Sequence, residues 1–185
     1  EWFVHEHYLR LGAAAVVTLY GPRRMPGWVG KLPMHERLVY CGKGSFPPAN
    51  IHAGVADDDL YAQGLLREAV SSNVDEVAFS TAERAMLELC DERPNLALIY
   101  EADALMQGLS GLRPDLVSRL LRICTSVKAK RLFLALAERH QHAWLNRVEL
   151  ADVDLGSGKR VLVPGGRLNA KYLITLPADL GEQLG

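Results

Sequence analysis

Apolar residues recur at helical spacing between Ser126 and His140, and this stretch carries the strongest structural signal in the chain. The stripe consists of Ala129, Leu132, Phe133, Leu136 and Ala137. This is the i, i+3, i+4 pattern of one helix face. Val127 and Leu134 widen the stripe, so we expect a helix that is covered by protein on more than one face.

Three further helical patterns precede this helix, so residues 80–140 are predicted to form four consecutive helices with short joints. The first opens on Ser80–Thr81–Ala82–Glu83. In this capping box the Ser80 hydroxyl accepts from the Glu83 amide, and the Glu83 carboxylate returns to the Ser80 amide. An Arg84–Glu88 pair is expected on its outer face. The helix before the central stripe is predicted to start at Pro114, whose ring suits a first turn.

Strand patterns lie on both sides of the helices, at about residues 14–41, 74–79 and 159–176. The last range is predicted to form a hairpin about Gly165–Gly166. We expect the N- and C-terminal strands to share one mixed or antiparallel sheet, packed against the helices at about 80–144. Strands, then helices, then strands indicate an α+β fold. A length of 185 residues fits a single domain over 1–185.

Composition narrows the class of protein. An apolar content of 49% supports a packed core rather than disorder. No apolar run is long enough to span a bilayer, and no signal peptide opens the chain. Cys41, Cys90 and Cys124 are an odd number without metal-type spacing, so we expect reduced thiols in a cytoplasmic protein with no membrane partner. Because the sequence begins at Glu1, we expect a piece of a longer protein.

The net charge of −1 is unevenly distributed. Residues 57–103 carry twelve acidic and three basic side chains, whereas residues 113–171 carry twelve basic and five acidic ones. Residues 10–43 are also basic, with six bases and one acid. If the fold keeps these segments apart, a basic face would attract phosphate or an acidic partner.

No motif requires an enzyme, a metal or a cofactor. Gly156–Ser157–Gly158–Lys159 lacks the phosphate-loop pattern and precedes a strand, so a turn is expected. The histidine pairs His5/His7 and His140/His142 have no further ligand at metal-site spacing. Asp57–Asp58–Asp59 is expected to be a solvated turn. No serine or cysteine stands in a nucleophile frame, so no catalytic residue is predicted.

Contact with nucleic-acid phosphates or an acidic partner is the chemical role that the basic residues favour. The predicted binding residues are Arg23, Arg24, Lys128, Arg131, Arg139, Lys159 and Arg160. Trp28 follows the first two, and Arg167 adds charge near the last two. Such residues give salt-dependent phosphate binding without reading base sequence. The alternative is a solvated basic edge that only keeps the domain in solution.

Four blocks of the sequence together resemble the AbiEi antitoxins of type IV toxin–antitoxin systems, which act in abortive phage infection. The blocks are Val17–Trp28, Ser80–Leu89, Ser126–Leu145 and Asp154–Pro177. Departures from the family pattern lie mainly in loops and caps: Ala82 stands where proline is common, and Pro164 replaces a usual lysine.

The resemblance implies a bacterial cytoplasmic antitoxin and transcriptional autoregulator. It assigns no catalytic residue to any position of this chain. It also implies that this chain is the C-terminal domain, and that operator DNA is read mainly by a missing N-terminal winged helix. The toxin would be a nucleotidyltransferase-like enzyme, countered without a stable complex. Two alternatives remain: an enzyme acting on nucleotides or nucleic acid, and an interaction module that forms a homodimer through residues 127–137.

Overall fold

The computed structural model describes residues 16–21, 26–31, 33, 37–48, 55–68, 77–92 and 95–180. The strands are β1 (Val16–Tyr20), β2 (Arg37–Cys41), β3 (Leu65–Glu68), β4 (Val77–Ser80), β5 (Arg160–Val161), β6 (Arg167–Asn169) and β7 (Ile174–Leu176). The helices are α1 (Asp57–Ala62), α2 (Ala82–Asp91), α3 (Leu96–Gly108), α4 (Pro114–Ile123) and α5 (Val127–Arg139). Short 3-10 turns lie at Val29–Lys31 and Ala143–Arg147.

Helix α5 is the centre of the core. The Ser126 hydroxyl caps it by accepting from the Ala129 amide at 3.2 Å. Every residue from Ala129 to Ala137 is buried, and the Phe133 ring lies 5.9 Å from that of Trp144. The expectation of a helix covered on more than one face is confirmed. The alternative of a dimer surface at residues 127–137 is wrong for Ala129–Ala137, because this chain's own helices and C-terminal sheet cover those side chains.

Helix α2 begins one residue later than the capping box predicts. Thr81 is the cap, and its hydroxyl accepts from the Arg84 amide. The Ser80 hydroxyl donates instead to Glu88, and Glu83 binds Arg113. The predicted box is therefore wrong, since both of its side chains have distant charged or polar partners that local spacing does not reveal.

The other helices follow the predicted order. Helix α3 starts at Leu96, before the residues whose apolar spacing predicts the helix most clearly. Asn95 sets this start, because its side chain caps the helix by accepting from the Leu98 amide at 2.8 Å. Helix α4 starts at Pro114, as predicted. Asp57–Asp59 form the first turn of α1 rather than a free turn, where the helix dipole favours carboxylates. Within the described residues, no helix has the length and apolar character needed to cross a membrane.

The strands form three small sheets, which confirms the α+β class. Strands β1 and β2 are parallel, β3 and β4 are antiparallel, and the C-terminal sheet has the order β5–β7–β6. The expected sharing of one sheet by N- and C-terminal strands is wrong for the strands described. The predicted hairpin is also wrong: β5 runs parallel to β7, and β6 supplies the antiparallel neighbour.

The C-terminal sheet is held against α5 through its central strand. Ile174 and Leu176 of β7 are fully buried. Arg160 of β5 is in register with Ile174, and Arg167 of β6 is in register with Leu176. The two arginines therefore lie on opposite edges of the sheet, one on each side of a buried centre.

Candidate functional site

The predicted binding residues divide into three groups by their position. Arg23 and Arg24 lie outside the described residues, and nearby Trp28 is 62% exposed. Lys128, Arg131 and Arg139 lie on α5 and point into the protein. Lys159 and Arg160 are exposed residues at the start of β5, in the C-terminal sheet.

Arg131 is a buried cation that holds the C-terminal segment against α5. Its side chain is 2% exposed, and its guanidinium donates to four backbone carbonyls. These belong to Leu155 (2.7 Å), Gly158 (2.7 Å), Leu173 (3.2 Å) and Gly156 (3.0 Å). Burial, followed by the nearby charge of Arg160, lowers the pKa of Arg131 from its ordinary value. An arginine nevertheless stays charged, and the carbonyl dipoles compensate that charge.

Lys128 closes the end of α2. Its ammonium donates to the carbonyls of Asp91 (2.5 Å) and Glu92 (2.6 Å), the last residue of that helix and its cap. A cation here satisfies carbonyls that lack a partner within the helix and complements the helix dipole. Partial burial lowers the pKa of Lys128, although the Asp91 carboxylate opposes this shift.

Arg139 joins α5 to α3 and to the end of the described chain. Its Nη1 donates to the Leu180 carbonyl at 2.8 Å, and its Nε lies 3.2 Å from Asp103 Oδ1. The same carboxylate oxygen lies 2.8 Å from His140 Nε2. Arg139 is therefore held by groups of its own chain on two sides.

The expectation of an outward-facing basic edge on α5 is therefore corrected. Lys128, Arg131 and Arg139 have their charged ends on carbonyls or carboxylates of the same chain. Because α5 is enclosed by other elements, its basic side chains extend along the protein interior rather than into solvent. Contact between these three residues and an outside partner stays a prediction.

Arg160 is exposed in the edge strand β5, Lys159 is exposed directly before it, and Arg167 is exposed in the opposite edge strand β6. Among the described residues, none of these three side chains forms an ion pair. We call Lys159, Arg160 and Arg167 the basic sheet edges. Buried Arg131 lies close enough to Arg160 for their charges to interact, and the exposed Asp154 carboxylate lies in the turn that precedes Lys159.

The Gly156–Ser157–Gly158–Lys159 segment is a turn, as predicted, and no helix follows it. Gly156 and Gly158 have φ values of +63° and +76°, which glycine adopts without strain. Their carbonyls bind Arg131, and the Asp154 carboxylate accepts from the Gly156 amide at 2.7 Å. The turn thus serves to seat the buried arginine.

Residue spacing placed one ion pair wrongly and missed another. The first pair is buried, and in the second the carboxylate is buried whereas its arginine partner is exposed. Arg84 and Glu88 do pair, at 2.7 Å, but both are buried rather than on an outer face. Glu83 accepts a bidentate pair of bonds from Arg113, at 2.9 and 2.8 Å. Burial alone would raise the pKa of Glu83, but the Arg113 hydrogen bonds outweigh it and hold that pKa below its ordinary value.

The histidine pair on the described part of the chain has partners other than a metal. His140 binds Asp103, and His142 Nε2 lies 2.6 Å from the Met106 carbonyl. No group of three or more metal-ligating side chains occurs within residues that the structure describes. His5 and His7 lie outside them.

A family described as transcriptional regulator, AbiEi antitoxin, type IV toxin–antitoxin system matches residues 14–177. The chain belongs to the AbiEi antitoxin family. The resemblance seen in the sequence is thereby confirmed, and an antitoxin and transcriptional regulator of a type IV system is its functional class. The AbiEi family is regulatory, which favours the non-enzymatic interpretation over the nucleotide-processing one. Searches of curated proteins and of solved structures gave no match.

Proposed function

We propose that this AbiEi chain contributes to antitoxin and operator function by contacting DNA phosphates through its basic sheet edges. A winged helix that precedes this domain would read the operator, and the sheet edges would add affinity without sequence preference. The observation that supports this proposal is that some of the predicted basic residues have internal partners and others are exposed without one. Those predicted on α5 have internal partners, whereas Lys159, Arg160 and Arg167 have exposed charges.

The spacing of these cations suits a double helix. Arg160 and Arg167 are separated by two strand spacings and by two residues along β7, which places their Cα atoms roughly 12 Å apart. The major groove of DNA is about 12 Å wide. Exposed arginine side chains on Cα atoms at this separation are long enough to reach phosphates on either side of one groove, and the flexible Lys159 side chain can reach a third.

The same chemistry supports toxin neutralisation without a stable complex. A nucleotidyltransferase-like toxin acts on phosphate-bearing substrates. An antitoxin that holds such a substrate, or represses the operon, reduces toxin action with no protein–protein contact. Arg160 and its neighbours supply this electrostatic function, and no catalytic step is assigned to them.

The test is charge reversal on the basic sheet edges of the 185-residue chain. We compare Lys159→Glu/Arg160→Glu/Arg167→Glu with the control Arg119→Glu/Arg147→Glu. Arg119 and Arg147 are also exposed, and neither forms an ion pair within the described ranges. Fluorescence anisotropy with a duplex of the native promoter measures affinity from low to physiological salt.

Each lost phosphate contact lowers the slope of log K against log salt by about 0.9, so the triple variant should lose about 2.7. Its affinity at low salt should fall at least tenfold, while the control retains most of the wild-type slope. Equal slopes for wild type and triple variant, with both variants folded, would refute the DNA proposal. Co-expression with the toxin then tests neutralisation: growth rescue should fall in the triple variant and persist in the control.

A further inference from the structure

Lys130 of α5 is a buried cation to which the described residues offer no acceptor. It is only 3% exposed. The charged ends of Lys128, Arg131 and Arg139 on the same helix all have partners, whereas that of Lys130 forms neither an ion pair nor a hydrogen bond within the described ranges. The Asp91 carboxylate on α2 lies 3.9 Å from Lys128 instead. Because an ammonium is costly to remove from water without an acceptor, such groups are normally paired.

The position of Lys130 at the start of α5 adds to this cost. Its amide donates to the Ser126 carbonyl at 3.1 Å, in the first turn of the helix. Helical side chains lean toward the helix N-terminus, so the ammonium lies where the helix dipole is positive. The amides of Val127 and Lys128 at this end also have no acceptor among the residues described. Free amides at a helix N-terminus favour an anion.

The Ser45 hydroxyl is a second buried polar group without a partner. Ser45 is 3% exposed, and its Oγ has no hydrogen bond in the described structure. Its carbonyl accepts from the Thr125 amide at 2.7 Å and from Thr125 Oγ1 at 3.0 Å. These two bonds hold Ser45 beside the loop that leads into α5. A buried hydroxyl without a partner indicates a place for water or a ligand.

Cys124 shows that Lys130 and Ser45 lie close to one point. Its thiol donates to the Ser126 carbonyl at 3.8 Å, and the same carbonyl accepts from the Lys130 amide. Burial raises the pKa of Cys124, whereas the Ser126 carbonyl, the Lys130 charge and the Ser45 hydroxyl act to lower it. Both unpartnered groups are therefore near enough to Cys124 to act on its thiol.

We propose that Lys130, Ser45 and the first amides of α5 bind a phosphate group. A phosphate presents several acceptor oxygens to donors on different sides, and its charge compensates both the ammonium and the helix dipole. The Lys130 ammonium is not fully enclosed, so an ion can reach it from solvent. The Ser45 hydroxyl is enclosed in the free chain and donates to the ion after a change of its χ1 rotamer.

The source of the phosphate is either the free inorganic ion or a phosphate ester such as a nucleotide. Both present the same terminal oxygens to the ammonium. The basic sheet edges contribute none of the groups at this site, so the site does not depend on the DNA proposal.

The free chain carries an unfavourable interaction that phosphate relieves. Without an anion, Lys130 is a buried charge with no compensation, and an apolar side chain of similar length is more favourable there. Lys130→Met should therefore raise the melting temperature in phosphate-free buffer and remove the response to phosphate.

Thermal unfolding of the 185-residue chain tests the site, with phosphate raised from zero to about 50 mM against chloride at equal ionic strength. For a dissociation constant of about 1 mM, the wild-type melting temperature should rise by about 5 °C. Lys130→Met should show no rise. Ser45→Ala removes only a hydroxyl that lacks a partner, so it should fold normally and need at least threefold more phosphate for the same rise.

Two controls separate this site from general effects of charge. Lys171→Met removes an exposed lysine elsewhere, and the triple variant of the basic sheet edges removes the other candidate phosphate contacts. Both should keep the rise, even if the DNA proposal fails.

A nucleoside 5′-monophosphate, titrated in the same way, distinguishes the two sources of the ligand. An equal response indicates the free ion, and half-saturation at a tenfold lower concentration indicates a nucleotide. A wild-type chain that does not respond to either compound, or a rise that Lys130→Met retains, would overturn the proposal.

Discussion

Arg131→Met is the substitution that most directly tests whether this arginine is structural. It removes four hydrogen bonds between α5 and the C-terminal segment. Gly156 and Gly158 are exposed, so water can replace the bonds to their carbonyls. The carbonyls of half-buried Leu155 and Leu173 lose charged donors worth about 1.5–3 kcal/mol each. We expect the free energy of unfolding to fall by about 3 kcal/mol, which is the low end of the sum for these two carbonyls. The loss is no larger because the variant avoids the cost of removing a cation from water.

Urea unfolding followed by far-UV circular dichroism measures this loss. Arg131→Lys is the matched variant: it keeps the charge but not the planar fork that reaches several carbonyls, so it should lose about 1–2 kcal/mol. A loss below about 1 kcal/mol for Arg131→Met would refute the structural role. If that variant were stable but bound promoter DNA more weakly, the binding role that the sequence predicts for Arg131 would be supported instead.

Two further predictions concern the buried core. Glu83→Gln should cost about 1–2 kcal/mol at pH 7, because it weakens a bidentate pair between a buried carboxylate and Arg113, whose exposed side chain is partly screened by solvent. Since the folded pKa of Glu83 is lowered, its contribution is complete above about pH 4.3 and is lost as pH falls. The stability gap between wild type and variant should therefore narrow in urea titrations at about pH 3, and a gap constant down to that pH would contradict the assignment. Gly64→Ala should cost about 3 kcal/mol and Gly158→Ala about 1 kcal/mol by thermal unfolding. Both glycines have φ above +70°, but an added Cβ at Gly64 would lie 2.9 Å from Arg84 Cβ, whereas the space at Gly158 is open. Equal losses would show that packing at Gly64 is looser than described.

Helix positions are the most predictable part of this fold. The stripe of α5 and the proline at the start of α4 depend on neighbours three or four residues apart, which any sequence displays. The capping box at Ser80 is wrong for an instructive reason. Glu83 has a better partner thirty positions away in Arg113, and a single charged contact overrides a local capping preference.

Strand pairing is less predictable. Strand β6 has three residues, too few for a period-two pattern to stand out, so spacing alone predicts one hairpin for the C-terminal segment. Once β6 is inserted beside β7, β5 can pair only with the other edge of β7, and it does so in parallel.

The sequence by itself determined the central helix, the α+β class, the family and the uneven charge, because these follow from residue types and local spacing. Tertiary structure decided whether each charged side chain is buried or exposed, and which groups it contacts. Spacing cannot distinguish the buried Arg131 from the exposed Arg160, because the carbonyls that bind Arg131 lie 24 to 42 residues away. A basic side chain keeps its donors free for an outside partner when the folded chain offers it no acceptor. Within the part of the chain that the structure describes, the basic sheet edges meet that condition, whereas Lys128, Arg131 and Arg139 do not.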